Sequence, residues 1–251
     1  MAHQLKSATT GFARIGGIAA IGFAAMIVLG NAVMVPAGLP LSGAEIDEVT
    51  TFFATQGTAV GIGSALAPAG WILATLFGAG ALAALWRSEQ GRGEAWSLLG
   101  FAGLALQNVT FAGVVATRLA LTSTASHDAS ATTALWSLHD AVFTLNGTFL
   151  ALALLGLSVG GLRTGMIRPW HGALGLLSAT LQFASAMLAH WVIASGGVLG
   201  LLGLAGWLMW VVWIVAYGVV LIRRAPDTAP RTPAYDPAGS VTEIRAEGAT
   251  R

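Results

Sequence analysis

Residues 198–224, VLGLLGLAGWLMWVVWIVAYGVVLIRR, decide how this chain is read. From Val198 to Ile222 there is no Asp, Glu, Lys, Arg or His, and Arg223 and Arg224 close the run. A helix of that length, rising about 1.5 Å per residue, crosses roughly 30 Å of hydrocarbon. Working outward, five further stretches of similar character lie near 15–35, 65–86, 95–121, 133–159 and 170–193. Lipid offers no partner for free backbone groups, so each must be helical. The expected fold is an all-α membrane bundle of six transmembrane helices over residues 1–224, followed by a disordered cytoplasmic tail at 225–251 rich in Pro, Ala, Thr and charge.

Composition agrees. Of the 251 residues, 55% are hydrophobic and 9% charged, far below the charge of a soluble surface. A net charge of +1 leaves no footprint for nucleic acid. With no Cys, disulfides, thiol catalysis and thiolate metal sites are excluded. The 33 glycines suit close helix packing. The apolar run at 15–35 exceeds a signal-peptide core and lacks a convincing cleavage site, so it reads as a retained span.

Charge sets the orientation. If the spans alternate, Lys6, Arg14, Arg87, Arg92, Arg163, Arg168 and the five arginines from Arg223 onward share one side, and only Arg118 lies near the other. The positive-inside rule then puts both termini in the cytoplasm. Trp86, Trp96 and Trp170 mark the inner interface, Trp136 and Trp191 the outer one. In the first outer loop, Ser42-Gly43-Ala44-Glu45 reads as a capping box ahead of Ile46, Val49, Phe52 and Phe53 at helical spacing. This predicts a short amphipathic helix on the outer surface. Either residues 57–63 extend span two outward and Pro68 kinks it, or Pro68 sits in the first turn of the helix, where Pro is tolerated. Ala194–Gly197 forms a tight turn that makes spans five and six antiparallel neighbours.

Ionisable residues within spans are costly and therefore point to function. Arg118, His139, Asp140 and His190 fall there, all within roughly 10 Å of the outer interface on helices three, four and five. Gln107 lies three turns from Arg118 on the same face, and Asn146 two turns from His139. With Asn108 and Gln182 these sketch a polar seam towards mid-membrane. Each also has a plain structural reading: an Arg118–Asp140 ion pair or snorkelling arginine, an interfacial His190, amides as interhelical glue. Three chemical readings compete. His139 and His190 can ligate a metal or the iron of a haem b, with Asp140 and His127 nearby. His139 and Asp140 can serve as acid and base for hydrolysis of a lipid or another small molecule, although no HExxH or GxSxG motif supports it. Or the pocket binds a small amphipathic molecule for sensing or transport. A structural subunit docking on another membrane protein is the remaining reading. Trp207, Trp210 and Trp213 make an aromatic strip for an apolar ligand or for packing against lipid or span five. A retinal Schiff base is excluded because Lys6 is the only lysine.

Four features together resemble a family of small six-span bacterial membrane proteins classified as a domain of unknown function. They are Ala13-Arg14-Ile15-Gly16-Gly17 opening span one, the small-residue-rich first loop, Leu138-His139 with Asn146 deeper in span four, and the hairpin Leu162-Arg163-Thr164-Gly165-Met166-Ile167-Arg168-Pro169. The likeness covers about residues 12–224. It implies the six-span fold and a bacterial cytoplasmic membrane, and it supplies no activity. The Trp-rich sixth span and Asp140 depart from the family pattern.

Overall fold

A computed structural model describes residues 2–195 and 198–224, with side chains described at 11–194 and 198–224. The expectations for the tail at 225–251 and for part of the 194–197 turn therefore lie outside the described residues. Within them the chain is helical throughout: α1 Ala2–Met34, α2 Ile46–Thr55, α3 Gly57–Gln90, α4 Trp96–Thr124, α5 Ala129–Leu145, α6 Gly147–Arg163, α7 Pro169–Met187, α8 Ala189–Ser195 and α9 Gly200–Arg223. Five segments are long and apolar enough to cross a membrane: Gly11–Met34, Gly57–Gln90, Trp96–Thr124, Ala129–Arg163 and Gly200–Arg223. The chain is a membrane helical bundle.

The predicted span 170–193 is not among those five. It divides into α7 and α8 at Leu188, and polar residues dilute its apolar character. Those residues are spent on α9. His171 Nε2 donates to the Trp213 carbonyl (3.0 Å), Ser178 Oγ to the Gly206 carbonyl (2.7 Å) and Gln182 Nε2 to the Gly203 carbonyl (3.2 Å). As the position rises along α7 its partner falls along α9, so the two helices are antiparallel and joined by a ladder of side-chain hydrogen bonds. Hydropathy misses this because a polar residue facing a carbonyl of a neighbouring helix meets no lipid.

Two other expectations change. Span four breaks at Asn146 into α5 and α6, although the Asn146 backbone keeps helical angles (φ −57°, ψ −25°). Gly147 follows, where an added Cβ would lie 2.8 Å from the Gln182 carbonyl oxygen. The Ser42–Glu45 capping box does not form: Glu45 is the N-cap of α2 and makes no side-chain cap bond. The amphipathic α2 lays its apolar face on the bundle. Val49, Phe52 and Phe53 are buried with Met34, Val60, Leu121 and Trp136. Of the tryptophan strip, Trp210 and Trp213 face the protein interior, and Trp213 packs on span five as one of the expected readings had it. Trp210 meets Phe23 edge-on at 5.6 Å, and Trp213 packs on Phe77, Tyr217 and His171.

Glycine sets the closest approaches. Gly16 of α1 faces Gly80 of α3, and Gly17 faces Gly218 of α9, so that α1 seats against both without side chains between them. At the arginine-bearing end, Glu94 between α3 and α4 pairs with Arg163 at the end of α6 (2.5 Å) and with Arg92 (3.1 Å). Burial pushes the Glu94 carboxyl up, but hydrogen bonds from Arg163 and Arg92 and their charges outweigh this and hold it below its ordinary value. Nearby, fully buried Glu89 accepts from the Ser97 backbone N–H (3.0 Å) and Oγ (2.5 Å), occupying the N-terminal turn of α4. Arg224 donates to the Ala84 carbonyl, tying the end of α9 to α3.

Candidate functional site

On α4, residues 107, 108, 111, 115 and 118 recur at helical spacing and lie on one face. That face looks into a cavity of about 450 Å³ lying towards the bundle end opposite Glu94 and Arg163. Phe23, Asn31 and Met34 of α1 line it, as do Gly70 and Trp71 of α3, His139 and Phe143 of α5, Gly147 and Leu150 of α6, Gln182 and Ser185 of α7, and Trp207 and Trp210 of α9. Asn146, at the α5–α6 break, also lines it. Residues Leu39–Ser42 of the loop between α1 and α2 line it as well.

At the rim, Arg118 Nε donates to His139 Nε2 at 3.0 Å. An imidazole nitrogen that accepts from a guanidinium carries no proton, so His139 bears its proton on Nδ1. That nitrogen faces Asp140 Oδ1 at 3.4 Å, a long contact. The other carboxylate oxygen of Asp140 accepts from the Gly43 backbone N–H at 2.8 Å. Gly43 has φ +80°, a conformation glycine adopts without steric cost. Arg118, His139, Asp140 and the loop thus form one chain of contacts. The His139 ring is stacked between Trp136 (4.7 Å) and Phe143 (5.9 Å), which fixes its plane. Arg118 makes no direct ion pair with Asp140, because His139 lies between them. Its two terminal nitrogens meet no acceptor among the described residues.

Deeper in, two amides stand out. Gln107 and Asn146 are each 7% exposed. Their side-chain oxygens are buried without a hydrogen-bond partner, and no bond to their nitrogens is formed with the described residues. Asn108 also leaves its oxygen unpartnered, while its nitrogen donates to the Trp71 carbonyl at 3.2 Å. Unsatisfied buried polar groups cost about 1–3 kcal/mol each, so these amides ask for a partner that the described residues do not provide.

The structure gathers Arg118, His139, Gln107, Asn146 and Gln182 around one cavity. Asp140 is buried behind it and acts through His139 and Gly43. His190 does not join them: it is exposed, beside Trp191 at 5.5 Å. The axial pair of His139 and His190 is therefore not assembled, and both nitrogens of His139 are already engaged. No group of three or more His, Cys, Asp or Glu side chains suited to a metal ion occurs among the described residues. His127 lies in the turn before α5, outside the cavity lining. For the hydrolase reading, Asp140 shares its carboxylate between His139 Nδ1 at 3.4 Å and the Gly43 backbone N–H at 2.8 Å. The Trp strip contributes Trp207 and Trp210 to the lining, whereas Trp213 is buried beside His171.

Three residues were not foreseen as site or buried polar groups. Asn31, the one polar interruption in the first apolar run, lines the cavity. His171 and Glu89, 1% and 0% exposed, are buried towards the opposite end. His171 lies inside the predicted span 170–193, so the criterion for intramembrane ionisable groups reaches it, whereas Glu89 gives no sequence signal beyond its place near a span end. Comparisons of the chain with protein-family models, curated proteins and solved structures find no significant match.

Proposed function

We propose that this chain is a six-span protein of a bacterial cytoplasmic membrane that binds a small amphipathic molecule in a cavity in its outer half, as a sensor or an accessory to transport. One observation carries the reading: Gln107 and Asn146, both nine-tenths buried and with side-chain oxygens that find no hydrogen-bond partner among the described residues, face a largely apolar cavity. Its volume, about 450 Å³, lies within the roughly 300–1,000 Å³ of small-molecule sites. The sixth span is α7 together with α8, kept in the bundle by its ladder to α9. With six spans, Arg92, Arg163 and Arg224 fall on the cytoplasmic side and Arg118 on the outer side. The resemblance to the small six-span bacterial family is in keeping with this topology.

The test is photoaffinity labelling in nanodiscs with a neutral dodecanol carrying a chain diazirine. Labels should map to α4 and α5–α6 peptides lining the cavity and be competed by unlabelled dodecanol. Ala67→Trp, which fills the cavity from α3, should abolish them. Labels confined to lipid-facing residues such as Val109 and Leu138, unchanged by that substitution, refute the proposal. Cysteine-accessibility labelling from either side tests the orientation, using a Cys introduced at Ser42 or Gly93 of this Cys-free chain.

A further inference from the structure

The polar groups of the cavity differ in kind at its two levels. At the rim stands the one formally charged side chain in the lining, Arg118. Its Nε is committed to His139 and its terminal nitrogens are free among the described residues. Anchored through His139 to Asp140, and with its guanidinium carbon 6.0 Å from the Phe143 ring centre, the group is held in place before any ligand arrives. The two terminal nitrogens of a guanidinium present parallel N–H donors whose spacing matches the two oxygens of a carboxylate. At the deeper level, Gln107 and Asn146 offer orphaned carbonyl oxygens, which accept from a donor such as a hydroxyl.

Length and volume narrow the choice. Eleven residues of α4 separate Arg118 from Gln107, about 16 Å of helix rise. A volume of about 450 Å³ is that of a small-molecule site, roughly 300–1,000 Å³. A single chain with its polar groups at opposite ends fits both the spacing and the volume. Between the two levels Phe111, Val115, Phe143 and Trp207 supply apolar lining, interrupted by Asn108 and Thr144.

We infer that the cavity selects a single-chain carboxylate bearing a hydroxyl towards its far end, with the carboxylate on Arg118 and the hydroxyl on Gln107 and Asn146. This rests on the cavity being a ligand site. His139 and Asp140 are positioning residues that orient the guanidinium, and the Leu39–Ser42 loop roofs the bound head.

Competition against the diazirine dodecanol label in nanodiscs tests the inference, with ω-hydroxydodecanoate, dodecanoate, dodecanol and dodecyl phosphate as competitors. In the native protein the order should be ω-hydroxydodecanoate, then dodecanoate, then dodecanol, with steps of about tenfold for the charged contact. Arg118→Gln should erase the preference for dodecanoate over dodecanol while leaving dodecanol competition intact, which also shows that the variant is folded. Gln107→Leu with Asn146→Leu should erase the preference for the hydroxylated chain and keep that for the carboxylate. Dodecanol competing as well as dodecanoate, or dodecyl phosphate competing better than both carboxylates, overturns the inference and leaves the cavity itself standing as a ligand site. Absence of cavity labelling by the neutral probe overturns both.

Discussion

Replacing glycine by alanine inside an exposed helix stabilises it by about 0.8–1.0 kcal/mol, and at Gly80 the sign should reverse. A Cβ added there would lie 2.7 Å from Gly16 Cα, 3.2 Å from Gly16 N and 3.3 Å from the Phe12 carbonyl oxygen. All three are backbone atoms, so no side chain can swing aside. Ordinary van der Waals contact begins near 3.4 Å, so α1 and α3 must part by about 0.7 Å, a gap at which contacts already forfeit a quarter to a half of their attraction. Overpacking of this kind costs about 1–3 kcal/mol. Gly61 on the same helix is the control, being exposed with nothing within 4 Å of its added Cβ. Gly80→Ala and Gly61→Ala share the propensity gain, so their difference isolates the steric cost, about 1–3 kcal/mol. Unfolding by sodium dodecyl sulfate in mixed micelles, followed by circular dichroism, measures it. Gly80→Ala proving as stable as Gly61→Ala would refute the α1–α3 glycine contact and the seating of α1.

Asp140→Ala should free the roof of the cavity: hydrogen exchange at Gly43 should accelerate by at least tenfold, because a bond to a charged group is worth about 1.5–3 kcal/mol, and unchanged exchange there refutes the clasp. Ser178→Ala removes one rung between α7 and α9 and should cost only about 0.6 kcal/mol, while Gln182→Ala combined with it should cost about twice that in the same unfolding assay; no effect from the pair argues against the ladder. Backbone and side-chain hydrogen bonds from Ala131 and Ser130 hold the Asp128 carboxyl at the start of α5 below its ordinary value. A lowered carboxylate pKa stabilises the fold above the unfolded-state pKa, and that contribution is lost as the pH falls through the folded value. Exchange at Ala131 should therefore rise on acidification below about pH 4, and Asp128→Asn should show no such acid step.

Much of the architecture was legible because lipid imposes a simple demand. A stretch such as Val198–Ile222 has to be helical wherever it sits, since its backbone must satisfy itself in hydrocarbon. Gln107 with Arg118 and His139 with Asn146 could likewise be put on common faces, because helical periodicity survives any tertiary arrangement. Local rules failed where a long-range partner outbid them. Ser42 fits a helix N-cap, yet the Gly43 N–H goes to Asp140, 97 residues away, and the helix starts at Ile46. His139 and His190 lie at matching depths in the sequence reading, but depth says nothing about rotation. Tertiary packing turns one ring into the cavity between Trp136 and Phe143 and leaves the other exposed beside Trp191.

The sequence by itself determined that the chain is a membrane bundle of helices and which polar residues lie on shared faces, since both follow from hydrocarbon thickness and the helical repeat. The tertiary structure alone decided that α7 hides its polar edge against the carbonyls of α9, that Arg118 is joined to Asp140 through His139, and that Gln107 and Asn146 line one cavity with their side-chain oxygens unpartnered among the described residues. The physical reason is that hydrophobicity is a property of each residue, whereas hydrogen-bond satisfaction belongs to pairs of groups that only the packed helices bring together.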